Sequence, residues 1–280
     1  MVHKHLIIGQ GHIGKWLTET LAEQNPFMPI IALATTEKHY TAQNITFWQK
    51  NALTLTAAEL ADITHISIII TPSKQQADRV QAYQDSYLAV CEYLATLAND
   101  LPYLQRILFV SSTSVYGQNH GEWVNINTPV FPSTATAQVL YQSECLLQNA
   151  FGHRCVIVRP SGIYGQNAKR MMTLAQSAHV TPIPVAHYTN RIMDSDLVRV
   201  LCHILMQSQV EPVYIASDFA AASSLAVVQF IRQQLGLKQE ILLQHSAPTG
   251  KRLTPNIPRE WLIFATYERG YAWILEQNIV

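Results

Sequence analysis

Residues 5–24 read His5-Leu6-Ile7-Ile8-Gly9-Gln10-Gly11-His12-Ile13-Gly14-Lys15-Trp16-Leu17-Thr18-Glu19-Thr20-Leu21-Ala22-Glu23-Gln24. The first four form an apolar run suited to a buried strand, and Ile13, Trp16, Leu17, Thr20 and Leu21 recur at the spacing of one helix face. Between them lies Gly-x-Gly-x-x-Gly. Gly9 permits the tight turn, Gly11 lets a pyrophosphate approach the backbone, and Gly14 lets helix and strand pack closely. A helix N-terminus placed there presents N–H groups and a positive dipole end to an anion. The reading is a dinucleotide-binding turn made by Gly9, Gln10, Gly11, His12, Ile13 and Gly14.

Working outward, the strand–helix alternation continues. Further strands are expected at 30–34, 45–48, 66–71, 106–111 and 155–159, with helices over 73–99 and 133–149. Near-continuous apolar strands separated by helices argue for a parallel sheet covered on both faces, a doubly wound α/β fold. After Pro160 the prolines at 182, 184, 212, 248, 255 and 258 break the chain into shorter elements. The expected division is a first domain at 1–160 and a smaller lobe at 161–280. Helices are expected there at 196–207 and 224–235, and the last sheet strand is interleaved at about 213–216.

Composition narrows the class. Of 280 residues 48% are hydrophobic and 14% charged, a balance that builds a core rather than a disordered chain. Lys+Arg and Asp+Glu are 19 each, so no basic footprint for nucleic acid or an anionic membrane is present. The apolar run at 66–70 is far shorter than the ~20 residues that span a bilayer. The start runs directly into a strand rather than a secretory segment, and Cys91, Cys145, Cys155 and Cys202 are scattered. The expectation is a cytoplasmic protein with reduced thiols. The eleven His residues show no sequence spacing typical of a metal site, so none is expected.

Cofactor choice is read at the end of the second strand. The acidic residue that holds a ribose falls about 20 residues after the glycines. Here that position is Ala34, followed by Thr35, Thr36, Glu37 and Lys38. Glu37 can reach a ribose, while Thr35, Thr36 and Lys38 can hold a 2′-phosphate, so the reading leans to NADP over NAD. Thr71, Ser111, Pro160 and Ser161 stand at carboxyl ends of strands, where open α/β sheets bind ligands, and join the cofactor candidates.

Three more motifs follow in order: Ser111-Ser112-Thr113-Ser114-Val115-Tyr116-Gly117, Arg159-Pro160-Ser161-Gly162-Ile163-Tyr164-Gly165 and Asn190-Arg191-Ile192-Met193-Asp194-Ser195-Asp196-Leu197. With the glycine turn they resemble the extended short-chain dehydrogenase/reductase superfamily, its nucleotide-sugar epimerase and dehydratase group. Gly121-Glu122-Trp123-Val124, Thr128-Pro129, Gly250-Lys251-Arg252 and Gly270-Tyr271 look closest to an atypical branch. The resemblance covers nearly the whole chain. It implies a Rossmann domain with a small C-terminal substrate lobe, a nicotinamide cofactor, a small-molecule substrate such as a nucleotide sugar, and a homodimer.

The resemblance also implies roles. The catalytic Ser/Thr position falls on Ser112, whose hydroxyl would bond a substrate hydroxyl or carbonyl. The next two positions, Asp-Glu in dehydratases, are Thr113 and Ser114, which supply no carboxyl for water elimination. The Tyr-x-x-x-Lys pair is missing: Tyr141 is followed four residues later by Cys145, counting on from Gly117 points to Thr136 or Ala137, and counting back from Glu144 gives Thr136, with Leu140 at the Lys position. Tyr116, Tyr164, His120 or a bound water then remain to exchange the proton. Thr113, Trp123, Tyr164 and Arg191 are substrate candidates, with Lys251 and Arg252 beside them. Two functions stay open: hydride transfer without the usual acid, or a non-catalytic NAD(P)-binding sensor or partner-binding module.

Overall fold

The structure, a computed structural model, describes residues 3–166 and 168–277. From the amino terminus come β1 (His5–Ile8), α1 (His12–Gln24), β2 (Ile30–Ala34), β3 (Ile45–Gln49), α2 (Ala57–Leu60), β4 (His65–Ile68), α3 (Arg79–Tyr83), α4 (Ala89–Thr96), β5 (Arg106–Val110), β6 (His120–Val124), α5 (Ala135–Phe151) and β7 (Cys155–Pro160). Then follow β8 (Gly162–Tyr164), α6 (Lys169–Ser177), β9 (Ile183–Pro184), β10 (His187–Thr189), β11 (Arg191–Met193), α7 (Asp194–Met206), β12 (Val213–Ala216), β13 (Ala222–Ser223), α8 (Ser224–Gln234), β14 (Leu243–Gln244), β15 (Thr249–Leu253) and α9 (Tyr267–Gln277).

The main sheet has seven strands in the order β12-β7-β5-β4-β1-β2-β3. Leu6 stands between Ile31 on β2 and Ile66 on β4, all three strands running parallel. Leu6, Ile7, Ile8, Ile66, Ile68, Ile107, Leu108 and Phe109 are all but inaccessible to solvent. Burying each such side chain contributes about 1.5–3 kcal/mol, which is why these runs become central strands. The chain leaves β1 toward β2 on one side and returns at β4 on the other. That reversal is the switch point beside which such sheets bind ligands, at the strands' carboxyl ends. The doubly wound parallel fold expected from the sequence is the observed one.

Two compact units divide the chain. The first holds residues 1–115, 132–159 and 201–214, and the second holds 116–131, 160–200 and 215–280. The break near residue 160 falls where the prolines begin. Two segments depart from the sequence-based division. Residues 116–131 join the second unit because β6 pairs with β15, in the four-stranded sheet β13-β10-β15-β6. Residues 201–214 join the first, where Arg106 on β5 donates to the carbonyls of Ile204 and Leu205 at the end of α7. The second unit closes over its own core, with Ile183, Met193, Val227, Ile231, Tyr271 and Ile274 at its centre.

The single helix expected over 73–99 is a correction. The Asp78 carboxylate accepts from the N–H groups of Val80 and Gln81, so the helix begins at Arg79. A widened π turn, Gln84–Leu88, then interrupts it. There Tyr87 meets Phe109 edge-on at 5.8 Å, a contact with the sheet that periodicity does not reveal.

Candidate functional site

The glycine turn is built by close approach. Gly9 has φ +95°, and a β-carbon there would lie 2.2 Å from the carbonyl oxygen of Ile69. A β-carbon on Gly14 would lie 1.9 Å from the Gly9 carbonyl oxygen. Gly11 differs: a β-carbon there meets nothing within 4 Å. It stands at the start of α1 and no side chain caps that helix end. The first-turn N–H groups of a helix have no intrahelical acceptor, and the space beside Gly11 is open. This is the shape and polarity a pyrophosphate needs. The Gln10 side chain, by contrast, is inside: it donates to Ile7 O and accepts from Thr18 and Tyr40. It braces the turn from behind, so only its backbone remains a cofactor candidate. His12 is exposed and Ile13 half-buried.

At the end of β2, Thr35, Thr36 and Glu37 are exposed and Lys38 is half-buried. Glu37 lies 3.9 Å from the exposed His39 imidazole. Thr71 is exposed past the end of β4. No fixed acidic ligand stands at the Ala34 position.

Past β5 the serines separate into two roles. Ser111 is buried, and its hydroxyl donates to Glu144 on α5. Arg159 clamps the same carboxylate from two sides, Nε to Oε1 at 3.1 Å and Nη2 to Oε2 at 2.5 Å. Ser111 is therefore a buried brace rather than a cofactor ligand, a correction whose reason is this bidentate pair. In the sequence Glu144 marks only a register position, and the buried cation beside it is not legible there. Ser112 is half-buried with Oγ accepting from the Ser114 N–H, and Thr113 is half-buried beside it.

Two residues stand at the positions the register assigns to the acid pair. Leu140 is buried at 2% exposure, packed as a core residue, and Thr136 bonds only to Thr134 among the described contacts, at 3.3 Å. The Tyr141 phenol lies against the Cys145 thiol one helical turn on. That thiol and partial burial push its pKa up. Tyr116, named as a stand-in acid, is 1% exposed in the core, which removes it from that role. Tyr164 is half-buried, and the desolvation of its hydroxyl raises its pKa strongly.

In the second unit a polar cluster gathers around β8 and β11. Arg191, paired in register with Gly162, is 6% exposed and its Nη2 donates to Thr189. Its Nη1, the Tyr164 hydroxyl, the Ser161 hydroxyl and Asp218 Oδ2 are all buried without a hydrogen-bond partner. Tyr164 stacks on Tyr271 at 4.9 Å, and Arg191 lies 5.8 Å from the centre of the Tyr267 ring. Gly270 makes room, since a β-carbon there would sit 1.9 Å from the Tyr164 hydroxyl. Burial raises the Asp218 carboxyl to about 7, against the Ala220 N–H and Arg191, which favour its charge. Buried polar atoms are rarely left unpaired, so four in one neighbourhood mark a ligand-binding candidate. Arg191 and Tyr164 are sequence candidates and Tyr271 belongs to the Gly270-Tyr271 motif, whereas Asp218 and Tyr267 come from distant segments that no motif marks. Pro160 is buried at the end of β7. Trp123 is 58% exposed, with the Arg252 guanidinium 5.1 Å from its ring and 4.5 Å from that of Tyr188. Lys251 spends its ammonium on Tyr116 O.

A glycine turn at the switch point of a seven-stranded parallel sheet defines a dinucleotide-binding α/β protein. The family model of the NAD-dependent epimerase/dehydratase family matches residues 6–219, and the chain belongs to that family. Among solved structures it is similar to a candidate NAD-dependent epimerase/dehydratase from Methylobacillus flagellatus, 23% identical, with all of both chains covered and a TM-score of 0.78. It is also similar to UDP-N-acetylglucosamine 4-epimerase from Bacillus cereus, at 15% identity, full coverage of both chains and a TM-score of 0.74. A third is UDP-glucuronic acid 4-epimerase from Bacillus cereus in complex with NAD, 16% identical over 98% of this chain and 99% of that one, TM-score 0.71. These likenesses carry the fold. No curated protein sequence matches the chain. No helix among the described residues is long and apolar enough to cross a membrane.

Proposed function

We propose that the chain binds a nicotinamide dinucleotide and moves a hydride between it and a carbinol carbon of a small-molecule substrate, with nucleotide sugars the first class to test. The observation that carries this reading is the uncapped start of α1 with open space at Gly11. The cofactor, when bound, supplies the hydride acceptor. Everything else falls to the chain. The Gly9–Gly14 turn holds the pyrophosphate, and Thr35, Thr36 and Lys38 receive a 2′-phosphate. Ser112 orients the reacting hydroxyl. Within the second unit, the buried Arg191, Tyr164, Ser161 and Asp218 atoms are the candidates for holding polar groups of a ligand. With Thr136 and Leu140 at the acid positions, a water held at Ser112 exchanges the proton. A positioned acid or base contributes ~10²–10⁴ in rate, so turnover is expected to be slow by that factor.

A second reading is favoured by one observation: Leu140 packs in the core where a cation would lower a phenol's pKa. On that reading the protein is a non-catalytic NAD(P)-binding sensor or partner-binding module. Calorimetric titration with NADH and NADPH, followed by turnover assays on UDP-hexoses, separates the two. Binding with slow turnover supports the enzyme, binding without turnover supports the module, and binding of neither cofactor removes both.

A further inference from the structure

At the opposite end of β1 from the glycine turn, three imidazoles meet. His5 opens β1 and pairs in register with His65, which opens β4. Their rings stack at 4.3 Å, and the exposed His3 ring lies 5.0 Å from that of His65. One ring nitrogen from each of the three lies within 4.8 Å of the others. His5 is 1% exposed, yet both of its ring nitrogens are without a hydrogen-bond partner. Burying an imidazole with neither nitrogen satisfied is unfavourable.

We propose that His3, His5 and His65 form a binding site for one borderline-soft divalent transition ion, Zn(II) being the test case.

The hydrogen-bond bookkeeping around His65 supports this. The Thr64 hydroxyl donates its one hydrogen to Lys4 O and accepts from the Lys4 N–H. With that hydrogen on Lys4 O, the remaining 3.0 Å contact is one that His65 Nδ1–H makes as donor. The Nε2 lone pair is left for a ligand bond, the arrangement that outer partners of metal-bound histidines impose. Arg106 is the opposing charge nearby, and its guanidinium is engaged by the carbonyls of Ile204 and Leu205. Tetrahedral zinc, with Zn–N bonds of 2.0–2.1 Å, needs nitrogens roughly 3.3 Å apart, so the rings must draw together on binding. His5 can turn without breaking a hydrogen bond, and His3 lies ahead of the strand. A water or small anion completes the fourth position. The ion would tie the chain ahead of β1 to the head of β4.

The test uses the metal-stripped full-length protein titrated with Co(II) and then Zn(II). One equivalent of Co(II) should bind with the visible absorption of a four-coordinate nitrogen/oxygen site, Zn(II) should displace it, and Zn(II) should raise Tm. His3→Gln, a change at an exposed residue, should weaken binding at least ~10-fold, the lower bound seen for loss even of outer-shell partners. His65→Gln should do the same, while NADH or NADPH titrations stay unchanged. Absence of saturable one-to-one binding overturns the proposal. So does a His3→Gln protein that titrates like the wild type, or absorption typical of thiolate ligation, since either places the ion elsewhere.

Discussion

Gly14 and the carbonyl of Gly9 occupy the same corner: a β-carbon on Gly14 would lie 1.9 Å from that oxygen, whereas one on Gly11 would touch nothing. The two glycines thus differ: close packing demands the first, while the second leaves open the space the proposed cofactor would use. Gly14→Ala is expected to destabilise the protein by about 1–3 kcal/mol, the usual range for overpacking a tight contact. Gly11→Val should leave denaturant stability nearly unchanged and abolish NAD(P)H binding. Equal loss of stability in both variants, or unchanged binding by Gly11→Val, would defeat this division.

Cofactor choice turns on the residues after β2. With Ala34 unable to bond a ribose, Lys38 half-buried and Thr35 and Thr36 exposed, NADPH should bind about tenfold more tightly than NADH, roughly the free energy of one charge-assisted contact. Lys38→Ala should narrow that ratio. Tighter NADH binding that weakens on Glu37→Gln would reverse the assignment and make Glu37 the ribose ligand.

How far the chain could be read in advance follows from the range of its contacts. Strand β1, the glycine turn and α1 are neighbours in sequence, so their pattern carries their geometry. The expected roles of Ser112 and of positions 136 and 140 rest on the same kind of local counting, from Gly117 and Glu144. What stayed hidden depends on long-range partners. Ser111 looked free until Glu144 and Arg159 were seen to enclose it, and β6 joins a strand about 130 residues on. The three histidines escaped for the same reason: His5 and His65 are adjacent only through sheet register.

The Glu144–Arg159 pair should behave as a buried ion pair does. Glu144 is 0% and Arg159 5% exposed. Arg159→Met leaves the carboxylate uncompensated and is expected to cost about 3–5 kcal/mol. Adding Glu144→Gln should recover part of that loss, because the stranded charge is gone. A double variant as unstable as the sum of its singles would show that the pair is not coupled.

Asp218 predicts a pH effect of definite sign. Burial raises its folded pKa to about 7, above the ordinary carboxylate value, so the folded state holds its proton longer than the unfolded state. Its contribution is fully present below about pH 4 and is lost as pH rises through about 7. Asp218→Asn should therefore gain stability relative to wild type between pH 4 and pH 7, at up to about 1.4 kcal/mol per pH unit. Parallel stability–pH curves for the two proteins would show that Asp218 titrates normally.

Tyr141 is the residue on which the enzymatic reading is most easily mistaken. It is the one tyrosine on α5, and a superfamily enzyme with its usual acid needs a phenol placed against Ser112 with a lysine four residues later. Here the fourth residue is Cys145, whose proximity raises the Tyr141 pKa instead of lowering it. An unassisted phenol, near pKa 10 or above, is a poor proton acceptor at neutral pH. The register places Thr136, not Tyr141, at the acid position, and the Ser112 hydroxyl is engaged by the Ser114 N–H. Tyr141→Phe should therefore leave cofactor affinity and any turnover within about twofold of wild type. Ser112→Ala should lower turnover about 10–100-fold with cofactor affinity intact, as expected for losing a group that bonds the reacting oxygen. If Tyr141→Phe instead removes turnover while NADPH still binds, the register is wrong by five residues and Tyr141 is the acid.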